Sequence, residues 1–211
     1  MRPTNESRRA LPGLGTIPAM IPRFVMAGLA AAGLLLAACA AAPAASFDPT
    51  GPCTTDGSAP GAYPDLEALV PATFRDESPG TLDSGRHCSG PNLGSLASAG
   101  ISEIRFAGAT WSFGAERAAV LAVFQASGLT SDALADFYAS GARTANRTEI
   151  LAQSTPTIVG RAGHRLDTKT GERLQTVVVW PSAVADRVNV VITNDLPDAR
   201  IQEAIDAFGE R

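Results

Sequence analysis

From Phe24 to Ala38 the chain is apolar without a single charge, whereas beyond Tyr63 its hydrophobic positions recur at helix or strand spacing. The first periodic segment, Tyr63 to Pro71, reads as a short helix: Leu66, Leu69 and Val70 share a face, Pro64 suits the first turn, and Pro71 ends it. Pro91 to Ala97 is a second short helical candidate that stops at Gly100. Ile104 and Phe106 then alternate with Glu103 and Arg105, which predicts a strand over Ile101 to Phe113. A near-continuous apolar run, Val120 to Phe124, predicts a central strand over Ala118 to Ala126. Thr130 is placed to cap a helix from Ser131 to about Arg143, in which Leu134, Phe137, Tyr138 and Gly141 recur at i, i+3, i+4 and i+7. That stripe reads as a core face, with cofactor stacking as its sharper alternative.

The remainder is mainly β. Strands are expected at Thr148 to Gln153, Thr157 to Val159, Ala162 to Asp167, Leu174 to Trp180 and Arg187 to Thr193, with a polar turn at Thr168 to Gly171. Asp198 is expected to cap a last helix whose buried stripe is Ile201, Ala204, Ile205 and Phe208. This order predicts an α+β fold, an antiparallel β-sheet with helices packed on one face. In that order, and in the run from Val159 to Asp167 followed by a valine-rich strand and a closing helix ending in Phe208, the region from about Ser102 to Arg211 resembles the PsbP-like fold. The resemblance implies a sandwich with a binding or accessory role, and it brings no common catalytic residues. The Cys53 to Cys88 segment lies outside its pattern.

The apolar run at the N-terminus follows Arg8, Arg9 and Arg23, the charge-then-apolar order of an export signal. Its 15 residues fall short of the ~18 wanted for a membrane-spanning helix. Met20-Ile21-Pro22-Arg23 makes a compact n-region by itself, which points to Met20 as the true start. Leu36-Ala37-Ala38-Cys39, at the end of the run, resembles a bacterial lipobox. The resemblance implies cleavage after residue 38 and acylation of Cys39 by a diacylglyceryl thioether and an amide-linked, palmitate-type chain. Two or more chains hold a protein stably on a bilayer. The expected layout is a signal peptide over 1–38, a lipidated Cys39 with a flexible tether over 39–62, and a single domain over 63–211. The expected location is the bacterial cell membrane or cell surface, facing away from the cytoplasm.

Removing residues 1–38 takes away Arg2, Arg8, Arg9, Arg23 and Glu6, leaving 13 basic against 20 acidic residues. An acidic domain argues against nucleic acid and against electrostatic docking on anionic headgroups. With Cys39 acylated, Cys53 and Cys88 form an even pair, which in an exported chain reads as a disulfide closing a 36-residue loop. A metal site on His87 and Cys88 is the alternative, but it lacks a C-x-x-C or a spaced second His.

Candidate chemistry is sparse. There is no nucleophile elbow, zinc-protease motif, phosphate loop or dinucleotide-binding glycine pattern. The histidines are His87 and His164, and His164 alternates with Ala162 and Leu166 as a half-buried strand residue does. Asp76, Glu77 and Asp83 fall in a Gly/Pro-rich stretch where carboxylates are normally solvated. These features predict no cofactor and a non-enzymatic envelope module whose partner is a protein, a polymer or a small ligand. The other reading is an extracytoplasmic hydrolase using carboxylates or a Ser/His pair near His164.

Overall fold

The computed structural model describes residues 47–209. The signal segment 1–38, Cys39 and the start of the tether lie outside the described residues. An eight-stranded sheet is formed by β1 (Gly57–Ala59), β2 (Thr81–His87), β3 (Ile104–Ser112), β4 (Ala118–Gln125), β5 (Thr148–Ser154), β8 (His164–Thr170), β9 (Arg173–Pro181) and β10 (Arg187–Asn194). Its order is β1-β2-β3-β4-β10-β9-β8-β5, and every neighbouring pair is antiparallel. A small hairpin, β6 (Thr157–Ile158) and β7 (Arg161–Ala162), joins β5 to β8. The helices are α1 (Pro64–Glu67), α2 (Gly90–Leu93), α3 (Ser95–Ser98), α4 (Ser131–Thr144) and α5 (Asp198–Ala207).

The helices cover both faces of the sheet, which corrects the expectation of one. Strand β9 shows why: Val178 and Trp180 point into one core, Val177 and Val179 into the other. A strand apolar on both sides must be covered on both. Helices α1 and α5 close the first face, where Phe208 meets Trp180 edge-on at 5.3 Å and Phe74 meets Trp111 at 5.9 Å. The Trp111 indole N–H donates to the Glu77 carbonyl at 2.9 Å, so even its polar atom is satisfied. Helices α2, α3 and α4 lie on the second face, with Leu93, Leu96 and Leu134 against Val177, Val188 and Val190.

The boundary expected at residue 63 moves toward the N-terminus. Arg86, 3% exposed on β2, donates to the Asp48 and Gly51 carbonyls at 2.8 Å each and to the Pro52 carbonyl at 3.2 Å. Its guanidinium also lies 5.9 Å from the centre of the Phe47 ring. The composition of this stretch suits a tether, but a buried cation 34 to 38 residues away fixes it to the domain. Strand β2 itself was unforeseen, because its inward residues are polar. Ser84 accepts from the Tyr63 N–H at 2.7 Å and donates to Glu67 at 2.8 Å, so a buried hydroxyl replaces the expected hydrophobe.

Cys53 and Cys88 are joined in a disulfide with Cα atoms 6.0 Å apart. Next to it Asp56 accepts from the Cys88 N–H at 2.6 Å, the Ser89 N–H at 2.9 Å, the Ser89 hydroxyl and Asn92. Burial pushes this carboxyl up, but the hydrogen bonds outweigh it and hold Asp56 well below the usual carboxylate range. The helix expected at Pro91 to Ala97 is two single turns, broken at Gly94 with φ +49°. Strand β8 runs on to Thr170, three residues past its expected end, and the turn moves to Gly171-Glu172. Asp198 occupies the first turn of α5, where Pro197 is the N-cap, and it accepts from Arg165 at 2.7 Å.

Candidate functional site: a cleft beneath helix α4

Helix α4 begins where expected, with the Thr130 hydroxyl accepting from the Ala133 N–H at 3.1 Å. It lies over β8, β9 and β5 and buries Leu134 and Ala139, whereas Phe137 and Tyr138 are only half-buried. Its flanks carry Ala135, Gly141, Ala142 and Ala145, which are too short to close the space between helix and sheet. Three cavities result. The largest, about 490 Å³, runs between Phe137, Tyr138 and Ala142 on the helix and Leu166 and Val177 on the sheet. A second, about 390 Å³, opens on the opposite flank beside Asp132, Asp136 and His164. The third, about 230 Å³, reaches from Tyr138 and Phe137 toward Phe124 and His87.

The polar groups around the largest cavity satisfy one another. Thr148 and Thr170 share a hydrogen bond at 2.8 Å, Gln175 donates to Asn194 at 3.2 Å, and Thr168 donates to the Gln175 carbonyl at 3.4 Å. Arg173 is paired with Glu116 and lies 3.9 Å from Asp195. The rim is therefore polar without an uncompensated charge. The Tyr138 hydroxyl has no hydrogen-bond partner among the described residues, and burial pushes its pKa up, keeping the phenol neutral.

His164 sits at a half-buried strand position as expected, yet it also has a carboxylate partner: Nε2 lies 2.7 Å from Asp132 Oδ1. Asp132 is 85% exposed, so the pair stands at the mouth of the second cavity, in water. Ser154 and Thr155 line the same cavity, but among the described residues no hydroxyl is hydrogen-bonded to His164. His87 stacks on Phe106 at 4.9 Å, and its Nδ1 is buried without a partner among the described residues. Cys88 is consumed by the disulfide, so a metal site on His87 and Cys88 has lost its sulfur. Asp83 accepts from Ser58 at 3.1 Å on β2, and neither it nor Asp76 or Glu77 lines any of the three cavities.

Sequence periodicity placed the aromatic stripe of α4 toward the sheet but did not show that its flanks leave space. The signal was present in the small residues either side of Tyr138. Among the described residues no helix is long and apolar enough to cross a membrane. No protein-family model and no curated protein matches the chain.

Proposed function

We propose that the protein is a lipid-anchored extracytoplasmic binding module, non-enzymatic, whose ligand occupies the cleft beneath α4. The observation that carries this reading is the 490 Å³ cavity with apolar walls and a self-satisfied polar rim. Cavities of this size with a few polar groups are the usual form of a small-molecule site. The Leu36 to Cys39 pattern supports lipid attachment, and the Cys53–Cys88 bond suits an oxidising compartment. The envelope side of a bacterial membrane is the location consistent with both. The antiparallel sheet and its closing helix ending at Phe208 support the PsbP-like likeness as part of the same reading. Among envelope protein, polymer and small ligand, the cleft favours the small ligand.

Two measurements test this. Mass spectrometry of the native protein should find an acylated N-terminus at Cys39, and Cys39→Ser should be released or left uncleaved. N-phenyl-1-naphthylamine, a neutral apolar fluorophore, should brighten on binding and be expelled by Gly141→Trp. An unmodified N-terminus elsewhere overturns the anchor, and binding unaffected by Gly141→Trp overturns the cleft.

The His164–Asp132 pair favours a second reading, ester or amide hydrolysis at the second cavity with a hydroxyl from Ser154 or Thr155. A fluorophosphonate probe should then label the protein and fail to label His164→Ala. Absence of labelling in the native chain counts against it.

A further inference from the structure

The three cavities under α4 meet at one side chain. Tyr138 lines all of them, Leu166 and Val177 floor the first and second, and Phe137 borders the first and third. At 100° per residue, Asp132, Ala135 and Ala139 fall on one flank of the helix, and Gly141 and Ala145 on the other. Tyr138 lies between those flanks and faces the sheet, so its ring divides the space beneath α4. Its hydroxyl has no hydrogen-bond partner among the described residues, which leaves its proton available to a molecule in that space.

Arg173, the one charged residue lining the largest cavity, is committed elsewhere. It is held by Glu116 and Asp195, whereas the second cavity holds the Asp132–His164 pair together with Asp136 and Arg143, which have no ion-pair partner among the described residues. A charged ligand group brought to Tyr138 through the largest cavity would lose water without gaining a counter-charge, which strongly disfavours it there. An uncharged acceptor meets no such penalty and satisfies the phenol.

We propose that Tyr138 is the specificity-determining residue of the cleft, its ring partitioning the cavities and its hydroxyl donating to an elongated apolar ligand that carries one uncharged acceptor. The proposal rests on the cleft being the ligand site, as set out above. An apolar chain confined to one cavity gains affinity with length until it reaches the ring. Beyond that length it gains only if the ring gives way.

Straight-chain primary alcohols from hexanol to dodecanol, competing with N-phenyl-1-naphthylamine, test this on the full chain carrying Cys39→Ser, which has no acyl chain of its own at that position to compete. Affinity should rise about fourfold per methylene, the equivalent of ~0.8 kcal/mol, and then level off. Tyr138→Trp should bring the plateau to a shorter chain and Tyr138→Ala should move it to a longer one. Tyr138→Phe should weaken every alcohol by ~3–10-fold, the range of one neutral hydrogen bond, without moving the plateau. A plateau at the same length in Trp, Ala and native proteins overturns the partition, and undiminished binding by Tyr138→Phe overturns the donor role. If the native chain binds neither fluorophore nor alcohol, the cleft reading falls and this one with it. If both bind but the plateau stays fixed, Tyr138 alone is misassigned. Should Tyr138→Trp fail to fold by circular dichroism, the Ala and Phe variants decide the matter.

Discussion

On β9, Trp180 meets Phe208 edge-on at 5.3 Å, whereas Val177, three residues earlier and on the opposite face, borders two cavities. The same strands thus support a face packed tightly around Trp180 and Phe208, with a cavity of about 430 Å³ between Val178 and Ile201 of α5, and a face on which three cavities meet under α4. Helix α5 carries Ile201, Ala204, Ile205 and Phe208 into a core that already contains Trp111 and Trp180. Helix α4 offers Leu134, Phe137 and Tyr138, then Gly141, with alanines beside them. Protein interiors are packed nearly as densely as organic crystals, so three cavities converging on one side chain of α4 ask for a use. The comparison teaches a division of labour by degree, in which the aromatic packing around Trp111 and Trp180 secures the fold and the face under α4 supplies the largest of these cavities.

The sharpest way to break that comparison is to truncate both faces. Trp180→Ala should cost about 3–5 kcal/mol in chemical denaturation. Tyr138→Ala, which already borders space, should cost less than half of that, and equal losses would falsify the division. Next in size is the staple behind α2 and α3, which lie on the open face. Replacing Cys53 and Cys88 by Ser should lower stability by about 3–4 kcal/mol in the chain-entropy account. Hydrogen exchange should quicken first around Leu93 and Leu96 and last around Trp111. Uniform exchange across both faces would show that the staple serves the whole domain.

A gain is expected from Gly141→Ala. A Cβ built there meets nothing within 4 Å, so the helix should gain about 1 kcal/mol, read as a higher melting temperature. No change, or a loss, would mean that the flank is less open than described. The smallest effect concerns acid. Asp56 is held below its usual range in the folded state, so it contributes stability at pH above ~3.9, the unfolded value. That contribution is lost as pH falls below this value toward the folded pKa. Asp56→Asn should therefore be less stable than the native protein at pH 6 and closer to it at pH 3, with the difference confined to the α2 and α3 side.

Much of the architecture was legible in advance. Strands β3, β4, β9 and β10 and helices α4 and α5 follow their hydrophobic spacing to within a few residues, because burial on a pleated or helical surface imposes that spacing. The pairing of Cys53 with Cys88 was legible from arithmetic. What could not be read is long-range and polar. The inward residues Ser84 and Arg86 of β2 hydrogen-bond to groups 17 to 38 residues away, so no local pattern marks the strand. Asp132 and His164 meet across 32 positions, and the spaces flanking Tyr138 exist only once α4 is laid on the sheet. The expected single-face packing failed although the apolar run Val120 to Phe124 calls for burial on both faces or a central place in the sheet.

The clamp that Arg86 places on the backbone at Asp48, Gly51 and Pro52 changes how far the domain can travel. With an anchor at Cys39, a leash running freely to Tyr63 would have 24 residues and a taut length of about 80 Å. Fastened at Phe47 it has eight, and at most about 28 Å. On the proposed anchor, the cleft would search a thin layer above its own leaflet, in which any membrane-resident ligand would be met at high effective concentration. Arg86 would then set the radius of that search.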